Sequence, residues 1–306
     1  MSLNVDGLLT EQVNPATAEI DLMTTEEILR LINDQDKTVA TAVEPEIPNI
    51  TAAVDKITAA VKNGGRLIYI GAGSSGRLGV LDAAECPPTF GVDPGLVIGL
   101  IAGGHVALAS AAEGAEDTED TAREDLVALG LTSRDVLVGI AASGRTPYVK
   151  AGLEYGNSLG AFTVAVSCTP DPEIGAVAKL AITPLVGPEV ITGSTRLKAG
   201  TATKLVLNML TTAVMIRSGK VYGNLMVDVR PTNDKLWERA KRMVAEAAGA
   251  TREQAGAALE AAGKNAKTAI VMLKCGCLAD EAQRRLAAAD GFIRKAINQT
   301  EKENNK

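Results

Sequence analysis

The strongest chemical signal in the sequence is a short run of glycines and hydroxyl side chains that follows an apolar, strand-like segment at residues 66–70. Glycines permit a tight turn, serine hydroxyls donate hydrogen bonds, and a helix that begins here presents free amides and the positive end of its dipole. These features together predict a site for a phosphate group. The candidate ligands are Gly73, Ser74, Ser75, Gly76 and Arg77.

The same run fits the dinucleotide-binding pattern G-x-G-x-x-G, but the rest of that fingerprint is missing. A nicotinamide-binding site has an acidic residue at the end of the next strand, which binds the ribose. In this sequence residues 102–105 at that position read Ala-Gly-Gly-His, and none of them is acidic. The lysine of a nucleotide P-loop is absent as well. We therefore predict no nucleotide cofactor.

A second loop of this kind follows a strand-like segment at residues 136–140. Pro147 is well placed for the first turn of the next helix. Either loop alone is also consistent with an ordinary capped turn, and either arginine with a surface ion pair of about 0–1 kcal/mol. Two such loops in one sheet favour the phosphate site. The second loop adds the candidate ligands Ser143, Gly144, Arg145 and Thr146.

A third polar loop, residues 187–198, leads into a long apolar helix. Ser194 and Thr195 are predicted to cap that helix, and Lys198 adds local positive charge. We include Ser194 and Lys198 among the candidate phosphate ligands. Simple helix initiation is the alternative interpretation of this loop.

The elements that must position these loops alternate between strands and helices. Helical periodicity covers residues 24–61, and Thr24 or Thr25 would cap the first helix. The βαβ rhythm that follows predicts an α/β fold, with a parallel sheet sandwiched by helices and a small C-terminal helical bundle. The predicted domains are residues 1–62, N-terminal helices packing on the sheet domain; residues 63–228, the sheet domain with the phosphate site; and residues 229–306, a helical region. The predicted strands span residues 66–70, 96–101, 136–140, 162–167 and 180–183.

The composition and net charge of the chain indicate which kinds of binding partner do not suit it. The 306 residues carry a formal net charge of −6, which gives no electrostatic footprint for nucleic acid or an anionic membrane. No stretch approaches the roughly 20 uninterrupted apolar residues of a membrane span. The four cysteines form no disulfide framework, and with His105 as the only histidine we predict no metal site. A reducing cytoplasm is the expected location.

Four segments of the sequence read GAGSSGRLGVLDAAECPPTFG, IAGG followed by EGAEDTED, GIAASGRTPYV, and GPEVITGSTRLKAGTATK. These segments resemble those of the N-acetylmuramic acid 6-phosphate etherase family, which has the sugar isomerase (SIS) fold. The similarity extends from about Thr10 to Ile297. The last segment is shared with the related glucokinase regulatory protein, which binds sugar phosphates without converting them.

The resemblance implies cleavage of the D-lactyl ether of N-acetylmuramic acid 6-phosphate, in the recycling of cell-wall amino sugars. The expected products are N-acetylglucosamine 6-phosphate and D-lactate, with no metal or organic cofactor. In the family that this chain resembles, the catalytic acid is the glutamate of the ECPPT segment, here Glu85. A second functional glutamate, in EGAED, corresponds to Glu116.

The chemistry explains why two carboxyl groups are needed. The lactyl ether on carbon 3 is β to the latent aldehyde at carbon 1, so ring opening makes elimination available. A rigid, apolar segment follows Glu85, which we therefore assign as the protonated acid, and we assign Glu116, which sits in an acidic run, as the base. The alternatives are a carboxylate at a helix end, because Pro87 and Pro88 would stop a helix begun at Gly76, and a solvated helix start for Glu116.

Helical rise places Glu85 about 13 Å from Gly76, which is long for one hexose. Either the loop after Glu85 folds back, or Glu85 acts in the site of a neighbouring subunit; a symmetric homodimer is the expected assembly. Two rival functions stay open on the sequence alone. One is a non-catalytic sugar-phosphate-binding regulator like the glucokinase regulatory protein, and the other is an aldose-ketose isomerase.

Overall fold

The computed structural model of the chain describes residues 9–110, 112, 114–228 and 234–303, with side chains through residue 298. These residues form two compact units. The first unit comprises the described residues within 1–84 and 94–211, and the second comprises those within 85–93 and 212–306. The three-part division predicted from the sequence stays a prediction.

The first unit contains a parallel sheet with the strand order β2-β1-β3-β4-β5. Its inner strands are apolar on both faces, as expected of parallel strands that are covered by helices on both sides. Every predicted strand is confirmed to within one residue at each end. The strands are β1 Leu67–Gly71, β2 Val97–Ile101, β3 Val136–Ile140, β4 Phe162–Val166 and β5 Leu180–Ile182.

Helices precede the sheet and alternate with its strands. The first of them begins at a capping box, in which the Thr24 hydroxyl accepts from the Glu27 amide and the Glu27 carboxylate accepts from the Thr24 amide at 2.8 Å. The predicted Thr24 cap is therefore confirmed. The helices that start in this unit are α1 Thr25–Val43, α2 Ile47–Lys62, α3 Gly73–Phe90, α4 Val106–Ala109, α5 Glu119–Ala128, α6 Pro147–Ser158, α7 Glu173–Val177 and α8 Lys198–Arg217.

The two faces of β1 pack against different helices. Ile68 and Ile70 belong to a buried cluster with residues of α5 and α6. Tyr69 points to the opposite face because side chains alternate along a strand, and its hydroxyl donates to Asp82 of α3 at 2.9 Å. The other oxygen of the Asp82 carboxylate accepts from Asn208 of α8 at 2.7 Å. The sheet is thus sandwiched by helices, which confirms the predicted fold class.

The prediction that Pro87 and Pro88 stop α3 is wrong, because the helix continues to Phe90. Proline fixes φ near −65°, a value that a helix also needs, so it can occupy the last turn. The residue that ends the helix is Gly91, with a φ of +62° and its amide bonded to the carbonyl of Pro87 at 2.9 Å. A Cβ on Gly91 would lie 2.0 Å from the carbonyl oxygen of Asp228, so only glycine fits there.

The second unit is a small helical bundle with its own apolar core. Ala240, Ala255, Ala269, Ala282 and Ala296 are all fully buried in it. Alanine lets helices approach closely, which explains how a region with so few aromatic residues still packs. Its helices are α9 Asp234–Ala248, α10 Arg252–Ala261, α11 Ala266–Cys275, α12 Ala279–Ala288 and α13 Ile293–Glu303.

By length and composition alone, α8 is apolar enough to cross a membrane. Half of its apolar window is nevertheless buried inside the structure. Val206, Leu207 and Leu210 lie in the core, with at most 1% of each side chain exposed. This is the behaviour of a core helix.

Candidate active site

The turn between β1 and α3 is built from glycines because backbone atoms meet there. A Cβ on Gly71 would lie 2.8 Å from the nitrogen of Gly76, and one on Gly76 would lie 2.7 Å from the carbonyl oxygen of Gly71. Gly73, with a φ of +50°, begins α3 earlier than predicted. Ser74 and Ser75 therefore lie in its first turn, where amide groups have no acceptor within the helix.

Arg77 extends from α3 to the loop that follows β2. Its Nε donates to the carbonyl oxygens of Ala107 at 3.0 Å and Leu108 at 3.2 Å, and its Nη2 donates to that of Ser110 at 3.1 Å. A guanidinium is suited to this task because its donors form a rigid fork. The side chain thus holds the end of α4 in place.

A cavity of about 220 Å³ lies between the start of α3 and the loop that Arg77 holds. Five alanines form much of its wall, so we call it the alanine cavity. It brings together three of the predicted site residues, Gly73, Arg77 and Glu116. Glu116 is exposed and sits in a short 3-10 helix that begins after Gly114, which has a φ of +75°. The lining residues are Ala72, Gly73, Arg77, Ala102, Ala107, Ala112, Gly114, Ala115 and Glu116.

A second cavity, of about 400 Å³, also has Arg77 in its lining. We call it the basic cavity, because three cationic side chains line it. Lys204 was not among the predicted ligands, although its spacing of four from Gly200 could have indicated one face of α8. The lining residues are Ser74, Arg77, Leu78, Arg196, Gly200, Thr201 and Lys204.

The third loop is organised by a glutamate that sequence reasoning missed. The Glu189 carboxylate is buried, with 1% exposed, and accepts from the amides of Lys198 and Ala199, both at 2.9 Å. The prediction that Ser194 and Thr195 cap α8 is therefore wrong. A carboxylate can accept from two amides at once, and its charge complements the positive end of the helix.

The Lys198 side chain is buried, with 3% exposed, and its Nζ donates to Oε1 of Gln35 in α1 at 3.1 Å. Burial lowers the pKa of this ammonium group, and the charges of Glu189 and Asp36 oppose that shift. The same Gln35 oxygen accepts from Asn14 at 2.9 Å. The structure therefore places Lys198 in a polar contact with the N-terminal helix, and it lines neither cavity described above.

The second loop packs against α7. Gly144 has a φ of +72°, and a Cβ there would lie 2.4 Å from Cβ of Pro172. Arg145 forms an ion pair with Glu173 at 3.5 Å, in line with the surface alternative for this arginine. Thr146 precedes Pro147, which begins α6 as predicted. The two cavities do not include Ser143, Gly144, Arg145 or Thr146.

Glu85 is exposed on α3. Because α3 is continuous from Gly73 to Phe90, Glu85 lies about 18 Å along the helix axis from Gly73. It lines neither cavity. The structure therefore does not bring Glu85 and Glu116 together within either of these cavities.

Within the described residues, no group of three or more His, Cys, Asp or Glu side chains is arranged to hold a metal ion. Among the described residues, Cys86, Cys168, Cys275 and Cys277 form no disulfide bonds. Burial raises the pKa of Cys168 to about 12, so this thiol stays protonated near neutral pH.

Several known proteins are similar to this chain. Residues 49–157 match the family of the glucokinase regulatory protein N-terminal SIS domain. The N-acetylmuramic acid 6-phosphate etherase of Escherichia coli is 59% identical over 295 residues, which cover 96% of this chain and 99% of that protein. The N-acetylmuramic acid 6-phosphate etherase 2 of Vibrio parahaemolyticus is 56% identical over 298 residues, covering 97% and 99%. A solved phosphoheptose isomerase from Francisella tularensis has a TM-score of 0.45 and 16% identity, and the alignment covers 63% of this chain and 98% of that one.

Proposed function

The chain belongs to the N-acetylmuramic acid 6-phosphate etherase family, and from this premise we propose that it converts N-acetylmuramic acid 6-phosphate and water into N-acetylglucosamine 6-phosphate and D-lactate. The observation that carries the proposal is identity over nearly the full length of both chains. A regulator like the glucokinase regulatory protein is not favoured, because only the segment at residues 49–157 matches that family's domain.

The proposed reaction is an elimination followed by addition of water. Ring opening exposes the aldehyde at carbon 1, which acidifies the proton on carbon 2. A base removes this proton, the bond between carbon 3 and the ether oxygen breaks, and an acid protonates the departing oxygen to give lactate. Water then adds its hydroxyl to carbon 3 of the unsaturated aldehyde and a proton to carbon 2. No oxidant or reductant is required for this sequence.

We assign the role of base to Glu116. Its position at the wall of the alanine cavity supports this assignment, because a base must lie within reach of the proton that it removes. The cavity also adjoins Gly73, so a sugar whose phosphate binds at the start of α3 would place its ring near Glu116. The clamp between Arg77 and the end of α4 would hold the loop that leads to Glu116.

For the phosphate we propose the first turn of α3. Its free amides at Ser74 and Ser75 and the helix dipole favour an anion. The basic cavity adds Arg196 and Lys204 beside Ser74, so the local charge is positive although the whole chain is acidic. The second loop, with Ser143, Gly144, Arg145 and Thr146, together with Ser194 and Lys198, stays predicted to contribute.

We propose that Glu85 is the acid and that it acts in the site of the partner subunit of a homodimer. The length of α3 supports this arrangement, since Glu85 is about 18 Å along the axis from the proposed phosphate site. In a symmetric dimer each subunit can complete the site of the other. Cysteines that form no disulfide among the described residues suit a reducing cytoplasm, which we propose as the location of the enzyme.

The test is incubation of the purified protein with N-acetylmuramic acid 6-phosphate and an enzymatic measurement of D-lactate. If the protein is an etherase, we expect one D-lactate to be released per sugar. In deuterated water, we also expect deuterium to be incorporated at carbon 2 of the product. Binding without lactate release would point to a sensor. Conversion to a ketose with the ether intact would point to an isomerase.

A further inference from the structure

The alanine cavity has a wall of methyl groups whose positions are fixed by close packing. Gly103 has a φ of +82°, and a Cβ placed on it would lie 2.7 Å from Cβ of Ala112. The same position would lie 3.3 Å from Cβ of both Ala107 and Ala115. Three methyl groups therefore surround the space that a side chain on residue 103 would occupy, so only glycine lets them pack this closely.

The chemistry of the proposed reaction decides what group lies beside Glu116. This carboxylate removes the proton from carbon 2, and the acetamido group is attached to the same carbon. The acetamido group must therefore lie next to Glu116 whenever the base is in reach of its proton. An acetamido group has an apolar methyl end, and it carries no charge.

The other large substituent near carbon 2 is the lactyl group on carbon 3, which carries a carboxylate. Glu116 must be ionised to act as a base, so a second carboxylate in the same small cavity would be repelled. Two of the three Arg77 nitrogens donate to backbone carbonyl oxygens, and those interactions compete with any pairing to a substrate anion. Charge therefore favours the neutral acetamido group over the lactyl group.

We propose that the alanine cavity binds the N-acetyl group of the substrate and makes the enzyme selective for N-acetylated sugar phosphates. The proposal rests on the proposed function, since it takes Glu116 as the base. Ala112 is the residue best suited to test it, because this side chain is half-buried, lines the cavity and lies outside the regular helices and strands.

The experiment compares the dissociation constants of N-acetylglucosamine 6-phosphate and glucose 6-phosphate, which differ at carbon 2 alone. We expect the wild-type protein to bind the N-acetylated sugar about tenfold more tightly, as apolar contacts in a shaped pocket allow. Ala112→Val should remove most of this preference and leave the affinity for glucose 6-phosphate within about twofold. Ala128→Val makes the same chemical change at an exposed position of α5 and should preserve the preference.

Three results would overturn the inference. The first is a wild-type protein with no preference for the N-acetylated sugar, a measurement that needs no variant to fold. The second is an Ala112→Val protein that weakens both sugars equally. The third is a variant that loses affinity for N-acetylmuramic acid 6-phosphate relative to N-acetylglucosamine 6-phosphate, which would place the lactyl group in the cavity. Release of D-lactate by the wild-type protein tests the proposed function separately from these ratios.

Discussion

The Glu189 carboxylate accepts a hydrogen bond of 2.9 Å from the amide of Lys198, the first residue of α8. Its second oxygen accepts from the amide of Ala199, also at 2.9 Å. Because Glu189 is buried, its replacement by alanine would leave two buried amides without an acceptor. We expect Glu189→Ala to lower the free energy of unfolding by about 3 kcal/mol, measured by urea denaturation.

Two variants sharpen this prediction. Glu189→Gln keeps one acceptor oxygen and should cost about half as much. Ser194→Ala removes the hydroxyl that the sequence suggested as the cap and should change the free energy of unfolding by less than about 0.5 kcal/mol. A larger loss in Ser194→Ala than in Glu189→Ala would show that the cap lies on the serine.

Asp82 should make stability depend on pH. Burial raises the pKa of this carboxyl, and the hydrogen bonds from Asn208, Tyr69 and Thr211 oppose the shift only in part. Asp82 therefore binds a proton more readily in the folded state than in the unfolded state, where the pKa of an aspartate is about 3.9. The contribution of Asp82 to stability is therefore largest when the pH is below the unfolded-state pKa, and it is lost as the pH rises through the folded-state pKa.

Asp82→Asn isolates this effect because asparagine fills the same space without titrating. We expect the difference in the free energy of unfolding, wild type minus Asp82→Asn, to fall as the pH rises above about 4. Paired urea denaturation curves at several pH values measure the difference and cancel the titration of other groups. A difference that stays constant or rises with pH would contradict the assigned direction of the shift.

Local patterns were enough to predict the sheet and most helices. The strands consist of uninterrupted apolar residues bounded by glycine-rich or polar loops. Short segments of this kind are typical of strands that are buried on both faces of a parallel sheet. The end of α3 was mispredicted because Pro87 and Pro88 were treated as a stop. Their φ suits a last helical turn, and the stop depends on the close approach of Gly91 to Asp228, which is a tertiary contact.

The candidate site was harder to predict than the fold. Ser74 and Arg77 were found from the glycine-rich loop, yet the partners of Arg77 are carbonyls near residue 108, which no local pattern reveals. Glu189 was missed because its carboxylate reaches amides nine and ten residues later in the chain. Side-chain contacts between loops depend on the folded arrangement, and the sequence gives only the residues available for them.

The two proposed catalytic glutamates are best tested separately. Carboxyl groups that act as general acid or base contribute about 10²- to 10⁴-fold to rate. We expect Glu85→Gln and Glu116→Gln each to reduce kcat for lactate release by at least about 100-fold and to retain sugar-phosphate binding. Asp120→Asn, which removes an exposed carboxylate in the same acidic run, should leave kcat within about twofold.

Mixed dimers would show which subunit supplies Glu85. If the site is shared, a heterodimer of Glu85→Gln and Glu116→Gln subunits has one intact site. When the two variants pair at random, half of the dimers are mixed, and one of the two sites in each mixed dimer is intact. We therefore expect about a quarter of wild-type activity to be restored. If both glutamates act within one subunit, no pairing contains an intact site and activity stays at the level of the single variants.

Arg77 should affect catalysis more than binding. Its guanidinium donates to the carbonyl oxygens of Ala107, Leu108 and Ser110, so it fixes the loop that leads to Glu116. Lysine keeps the positive charge but lacks the rigid fork of donors, and a misplaced base slows proton transfer steeply. We expect Arg77→Lys to lower kcat by about 10- to 100-fold and to change KM by less than about threefold, whereas Arg134→Lys at an exposed site changes neither. A raised KM with an unchanged kcat would instead make Arg77 a ligand of the substrate anion, and the loop would then need another anchor.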